Sequence, residues 1–306
     1  MTRTVLVPSS LVREAEDKRE ATRKLGYVAR AAAVFRVDRL VVFPDGEGER
    51  RWGGGFVETV LRYAATPPHL RKEAWDRRDE LEYVGVLPPL RVASTTGSDS
   101  AESGSLTQGI VTEVGPDGRV RVTCGLQHPI SLGVPPEMAV AEGERVAIRI
   151  SSREPVRARI VDEPLPGFSV ARETLPDALA RPDAGLAIAA SRHGATLSVG
   201  RLSALGERAA ADGDLTVAFG SPGRGLPAIL GLAVEDVPAA FAVDPTGGDR
   251  ESGGGDSAPD GSPSGVEPDP GFDLWLNTIP DQGSEVVRTE EAIFASLAPL
   301  TLPRGE

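Results

Sequence analysis

The strongest constraint on this fold is a block of short β-strand patterns that interrupts an otherwise α/β chain. Apolar runs at residues 4–7 and 39–43 flank a proline-free stretch at residues 12–35, whose Ala, Arg and Glu content favours helix with a break at Gly26. The alternation returns beyond the block as strand, helix and strand at residues 186–190, 202–211 and 215–219. Such units build parallel sheets whose ligands bind beyond the carboxyl ends of the strands.

The block itself, between Leu106 and Asp162, has hydrophobicity with a period of two. Its β-rich runs lie at residues 109–114, 119–124, 145–150 and 156–161. Several short strands without a helix predict a small closed barrel, and oligonucleotide-binding (OB) barrels are of this kind. Because the α/β pattern resumes afterwards, we expect the barrel to occupy a surface loop of one discontinuous domain.

The composition places the domain boundaries. We expect residues 1–92 and 165–306 to form the α/β domain and residues 106–164 the OB-like barrel, with a Ser/Thr/Gly-rich linker at 93–105. Residues 244–270 contain seven acids and one base, a net charge of −6. Such a segment has little to bury, so we expect a disordered acidic loop.

The overall charge is acidic, at −12, with 45 Asp and Glu against 33 Lys and Arg, of which only three are lysines. Acidity opposes nucleic-acid binding, because Lys and Arg supply most of the non-specific affinity for phosphate. That inference weakens at high salt, since at about 1 M the Debye length is roughly 3 Å and short-range arginine contacts then dominate. We expect a protein from a salt-loving cell; a plain acidic cytosolic protein is the alternative.

The barrel segment concentrates arginines. They alternate along the predicted strands, at Arg119, Arg121, Arg145, Arg149, Arg157 and Arg159. This pattern would decorate an outer face of the barrel. A solvated face without a partner and an RNA-binding face are both open at this point.

Several classes of function lose support. A single cysteine, Cys124, excludes an internal disulfide and a Cys-cluster zinc site. The chain has no Walker A lysine, serine elbow or paired-histidine metalloprotease motif, and its three histidines are scattered. Hydrolases and metalloenzymes are therefore disfavoured, and we expect no metal. Without a signal peptide or a membrane-length apolar stretch, a cytoplasmic protein is expected.

Two loops after predicted strands stand out. Residues 220–226 are rich in glycine, which lets a backbone approach a ligand closely. Residues 275–284 run from an apolar strand into a polar loop, and the following helix is predicted to be capped by Thr289. Backbone groups of such a loop can read an adenine edge while Ile279 and Val287 cover the ring faces.

Two strings near the carboxyl end carry a resemblance to a known family. They are Asn277-Thr278-Ile279-Pro280-x-Gln282-Gly283-Ser284 and Val287-Arg288-Thr289-Glu290-Glu291-Ala292. Together they resemble the carboxyl-terminal signature of the SPOUT methyltransferases, specifically the archaeal and eukaryotic RNA uridine-N3 methyltransferases with an inserted OB-like domain. Further matches lie at residues 26–31, 85–90 and 220–222.

The resemblance implies a fold, a cofactor and an assembly. SPOUT domains tie their carboxyl-terminal segment into a trefoil knot, bind S-adenosylmethionine in its crease and act mostly as homodimers, with the active site near the subunit interface. Carried over by position, the cofactor residues are Arg192, Gly220, Ser221, Pro222, Leu276, Asn277, Thr278, Ile279, Gln282, Gly283, Ser284, Val287, Arg288, Thr289 and Glu290.

The implied reaction is methylation of RNA, at N3 of a uridine in ribosomal RNA. Uridine N3 must lose a proton before it attacks the methyl group, so a base or a cation that stabilises the anion is needed. We assign Arg30 the cationic role and Glu290 or Glu291 the role of base; the alternative for the two acids is a stabilising position at a helix N-terminus. The rival function is a non-catalytic RNA-binding or ribosome-assembly factor that retained the fold.

Overall fold

The computed structural model describes residues 2–92, 104–116, 118–237 and 271–302. The strands are β1 (Arg3–Pro8), β2 (Arg39–Phe43), β3 (Ser105–Val114), β4 (Arg119–Thr123), β5 (Ile130–Gly133), β6 (Arg145–Arg153), β7 (Val156–Val161), β8 (Ser169–Arg172), β9 (Leu186–Thr196), β10 (Leu215–Ala218) and β11 (Leu274–Asn277). The α-helices are α1 (Lys18–Val34), α2 (Gly54–Ala65), α3 (Arg71–Ala74), α4 (Leu175–Leu179), α5 (Val199–Asp212), α6 (Leu226–Ile229) and α7 (Thr289–Leu300). The predicted acidic loop and most of the predicted linker lie outside these residues.

A parallel sheet forms the larger part of the molecule. Its strand order is β11-β9-β10-β1-β2-β8, and every neighbouring pair is parallel. Side chains alternate across it: Val5 and Val7 pack into the core under α1 and α2, whereas Leu6 packs into the core on the opposite face. The predicted α/β class is confirmed, and all carboxyl ends of the strands meet at one edge.

Helix α1 runs unbroken through Gly26, so the predicted break there is wrong. A Cβ atom at this position would lie 2.5 Å from Cδ of Pro88 and 3.1 Å from Cδ2 of Leu87. The glycine therefore serves a close approach between α1 and the chain at residues 87–88, which outweighs its poor helix propensity.

A second sheet, inserted between β2 and β8, is antiparallel in the order β5-β4-β3-β6-β7. Its edge strands β5 and β7 approach each other, which nearly closes a barrel around an apolar core that includes Val122 and Ile148. The inserted all-β unit is confirmed. Sequence patterns missed β5, a run of four residues, and β8 at the edge of the parallel sheet, because runs this short carry little periodicity.

Candidate functional site

A pocket of about 310 Å³ opens at the carboxyl edge of the parallel sheet. Its walls come from the end of β9, the loop after β10, the loop after β11 and the first turn of α7. This is the edge at which parallel α/β sheets bind ligands, and the volume falls in the range of about 300–1,000 Å³ that small-molecule sites occupy.

A bulge in β9 forms one wall. Trp275 of β11 lies opposite Ala189, but the next residue, Leu276, lies opposite Ala195, so residues 190–194 leave the ladder. Within this bulge, a Cβ atom on Gly194 would stand 2.5 Å from the backbone nitrogen of Leu276. Glycine permits that contact, and the bulge then places residues 190–193 on the pocket wall.

The bulge carries two polar groups into the pocket. Nε of Arg192 lies 3.1 Å from Nε2 of His193. Partial burial, and then the positive charge of Arg192, lower the pKa of His193 below its usual value. The imidazole is therefore neutral at neutral pH and can take up a proton.

The loop after β10 forms the second wall. The backbone groups of Ser221 and Arg224 bond reciprocally at 2.9 and 3.0 Å, which closes a tight turn. The Arg224 guanidinium lies 3.1 Å from the carboxylate of Asp45, a buried residue just after β2. A Cβ atom on Gly220 would lie 2.7 Å from Cα of Gly225, so a side chain at position 220 would clash with the backbone of the turn.

The loop after β11 forms the third wall and is held by its own side chains. Oδ1 of Asn277 accepts from the backbone N–H of Ile279 at 3.1 Å, and its Nδ2 donates to the carbonyl of Arg192 at 3.2 Å. The hydroxyls of Thr278 and Ser296 lie 2.7 Å apart, which attaches the loop to α7. The motif residues thus fix the backbone shape of the wall.

Helix α7 closes the pocket. The prediction that Thr289 caps this helix is wrong: the N-cap is Arg288. Thr289 is the first helical residue, and its hydroxyl donates to the carbonyl of Gly220 at 2.8 Å. The carboxylate of Glu291 accepts from the backbone N–H of Arg288 at 2.9 Å, the stabilising role considered for it from sequence.

The structure brings most of the predicted cofactor residues together. Those on the pocket wall are Arg192, Gly220, Ser221, Asn277, Thr278, Ile279, Gln282, Val287 and Thr289. The wall does not include Pro222, Leu276, Gly283, Ser284, Arg288 or Glu290. Leu276 is buried in the core, and a Cβ atom on Gly283 would meet open space.

Other parts of the wall were not in the predicted cofactor set, although Gly223, Arg224 and Gly225 belong to the glycine-rich loop recognised from sequence. The remaining ones are Ala190, Ser191, His193, Phe219, Pro227, Ala228, Val234, Glu285, Val286 and Ala292. Most adjoin a motif residue in the chain, so extending each loop by a few positions would have found them. Val234 is different, because only tertiary structure brings it to this edge.

Comparison with known proteins identifies the family of this chain. A family model described as "Putative RNA methyltransferase" matches residues 2–300. The chain belongs to this RNA methyltransferase family. The family assignment agrees with the resemblance carried by the carboxyl-terminal strings.

Relatives in the methyltransferase family include archaeal and animal proteins. A protein of Halobacterium salinarum described as uncharacterised is 67% identical over 302 residues, which cover 99% of each chain. Another from Haloarcula marismortui is 65% identical over 302 residues, again 99% of each. The human 28S rRNA (uridine-N(3))-methyltransferase is 27% identical over 320 residues, covering 98% of this chain and 77% of the human one. The two archaeal relatives support the halophile interpretation of the composition.

The residues predicted to be catalytic in this methyltransferase lie away from the pocket wall. Arg30, on α1, donates to the carbonyl of Leu90 at 2.6 Å. Glu290 is buried; desolvation raises its pKa, and the positive charge of Lys24 opposes that shift. Glu291 is engaged at the start of α7. Their roles stay predictions.

Across residues 2–92, 104–116, 118–237 and 271–302, no group of three or more His, Cys, Asp or Glu is arranged to hold a metal ion. In the same ranges, the helices fall short of the length and hydrophobicity that a membrane span requires.

Proposed function

We propose that this methyltransferase moves the methyl group of S-adenosylmethionine to RNA, at N3 of a uridine in ribosomal RNA. The observation that carries the proposal is the pocket at the carboxyl edge, whose walls are built from the carboxyl-terminal motif and the glycine loop. Membership of the RNA methyltransferase family supports the substrate class. The animal relatives named for rRNA uridine-N3 methylation support the base.

The pocket suits the chemistry of S-adenosylmethionine. Phe219, Ile279 and Val287 supply apolar surface for a flat adenine ring, and the adjoining loops supply backbone donors and acceptors for its edge. Glu285 and Arg192 offer opposite charges to an amino acid's ammonium and carboxylate. We assign the wall residues among the predicted cofactor set to direct contact, and the buried or outlying members to support of those loops.

We extend the proposal to the SPOUT trefoil knot and to a homodimer. Two contacts support a carboxyl-terminal segment that returns into the sheet: β11 pairs with β9, and Thr289 bonds to the loop after β10. We expect groups of a partner subunit to complete the binding site for the RNA base, because Arg30 and Glu290 of the same chain do not line the pocket.

The chain's main catalytic task is alignment. The cofactor supplies a methyl group already activated on a sulfonium, so holding the uracil nitrogen in line at about 3–3.5 Å accounts for much of the rate. The N3 proton must leave. His193, neutral and on the pocket wall, is a group of this chain that can accept it, and uptake of that proton at Nε2 displaces Arg192. Arg30, Glu290 and Glu291 remain the groups assigned from sequence.

Calorimetry of cofactor binding tests the proposal. Wild-type protein is expected to bind S-adenosylmethionine in high-salt buffer, and Ala228→Trp to weaken binding at least about tenfold, because the indole enters the pocket from its exposed rim. Ala74→Trp, an equally large change at an exposed site off the wall, is the matched control.

The rival function is a non-catalytic RNA-binding or ribosome-assembly factor. It predicts that wild-type protein binds RNA but not S-adenosylmethionine, and that rRNA from a deletion strain keeps every methylated nucleoside. Loss of one methyluridine on mass spectrometry of that rRNA is the result we expect. An unchanged nucleoside profile would overturn the enzymatic proposal.

A further inference from the structure

The strands of the near-barrel sheet carry a net positive charge, whereas the chain as a whole is acidic. Strands β4, β6 and β7 contain no Asp or Glu and seven arginines: Arg119, Arg121, Arg145, Arg149, Arg153, Arg157 and Arg159. The whole chain has a net charge of −12. Arginines gathered on three strands of one sheet in such a protein create a local field opposite to the global one.

Four of these arginines surround the opening where β5 and β7 fail to close the barrel, which we call the β5/β7 seam. The seam has a volume of about 960 Å³ and is lined by Arg119, Arg149, Arg157 and Arg159. Within the described part of the chain, no carboxylate lines it. The remaining lining is small or apolar, and includes Ile130 and Val156.

The register of β6 and β7 places two of the seam arginines side by side. Arg149 on β6 lies directly opposite Arg159 on β7, and like charges in that position destabilise a sheet. Glu163 pairs with the buried guanidinium of Arg149 and offsets part of this repulsion. The exposed side chains of Arg157 and Arg159 keep the seam electropositive.

The far rim of the seam is also organised. Arg119 on β4 donates from Nε to the hydroxyl of Ser131 at 3.0 Å and from Nη2 to the carbonyl of Ser131 at 2.7 Å. The guanidinium is thus fixed against β5 and faces Arg157 and Arg159 of β7 across the opening. A cation fixed on one rim and exposed cations on the other suit a ligand with repeated negative charges.

We infer that the β5/β7 seam binds the phosphodiester backbone of the RNA substrate, with Arg119, Arg157 and Arg159 contacting phosphates. Arginine can also stack on bases, and Ile130 and Val156 provide apolar contact beside it. RNA is favoured over an acidic protein because the chain belongs to an RNA methyltransferase family. The inference rests on the proposed function for the identity of the anion, but it assigns binding to a surface outside the cofactor pocket.

Fluorescence anisotropy of RNA binding by the full chain tests the seam. The probe is a labelled oligouridylate of about 16 nucleotides, the upper end of the length that one OB-type barrel covers. For Arg157→Ala/Arg159→Ala, we expect roughly tenfold weaker binding and a plot of log affinity against log salt that is shallower by about 1.4, for two lost phosphate contacts. Arg23→Ala/Arg50→Ala, which removes two exposed arginines from the α/β part, is the charge-matched control.

The outcomes separate the seam from the cofactor pocket. The seam variant should bind S-adenosylmethionine as the wild type does, which also shows that it is folded, and Arg157→Lys/Arg159→Lys should restore most of the RNA affinity. Equal RNA affinity and salt slope in the seam variant and the control would overturn the inference while leaving methyl transfer intact. A seam that binds an acidic peptide but not RNA would overturn it as well. Failure of cofactor binding with normal RNA binding would overturn only the proposed function.

Discussion

The hydroxyl of Thr289 donates to the carbonyl of Gly220 across 2.8 Å and so joins the start of α7 to the loop after β10. The two residues are separated by 69 positions in the chain. The bond therefore fixes the relative position of two pocket walls, and it explains why a threonine stands at a helix start where it does not act as the cap.

Replacing Thr289 by valine is expected to weaken both the fold and the pocket. The change keeps the shape but removes the donor, leaving the Gly220 carbonyl without this partner, so the free energy of unfolding should fall by about 1–3 kcal/mol. Urea denaturation measures that change, and calorimetry should show weaker S-adenosylmethionine binding. Thr289→Ser keeps the hydroxyl and is the control. If valine and serine variants bind equally well, the bond does not shape the pocket.

Alanine at Gly194 is expected to disturb the bulge of β9. The added methyl would stand 2.5 Å from a backbone atom of β11, which has to shift, and overpacking of this kind costs about 1–3 kcal/mol of unfolding free energy. Gly200→Ala is the matched control, since a Cβ atom there meets nothing and the residue lies in α5, where alanine favours helix. Thermal melting should separate the two variants. A Gly194→Ala protein as stable as Gly200→Ala would show that the bulge is free to move.

The pH dependence of methylation should report on His193. Because burial and the charge of Arg192 lower the pKa of His193 below its usual value, its neutral form predominates at neutral pH, and kcat/KM should fall only as the pH drops through that lowered pKa. Arg192→Gln removes one of the two causes of the lowered pKa, so the fall in kcat/KM at acid pH, the acid limb of the profile, should move to higher pH. His193→Gln should remove the limb. An identical pH profile in the wild type and both variants would assign the base elsewhere.

Part of the pocket could be predicted from sequence because those of its residues sit in two short strings. The strings at residues 220–222 and 277–289 mark loops after buried strands, and in a parallel sheet such loops meet at one edge. The bulge at residues 190–194 was not predicted, since it depends on pairing between β9 and β11, which are far apart in the chain. The predicted cap at Thr289 failed for a similar reason: its hydroxyl found a better partner in Gly220.

The sequence by itself determined the layered architecture, the inserted all-β unit and the segments that meet at the carboxyl edge. These follow from hydrophobic periodicity and glycine placement, which are local properties of the chain. Only the tertiary structure decided that His193 and Arg224 face the pocket, that Arg30 does not, and that four arginines gather at the β5/β7 seam. Those facts depend on strand order and register, which are set by packing between residues remote in sequence.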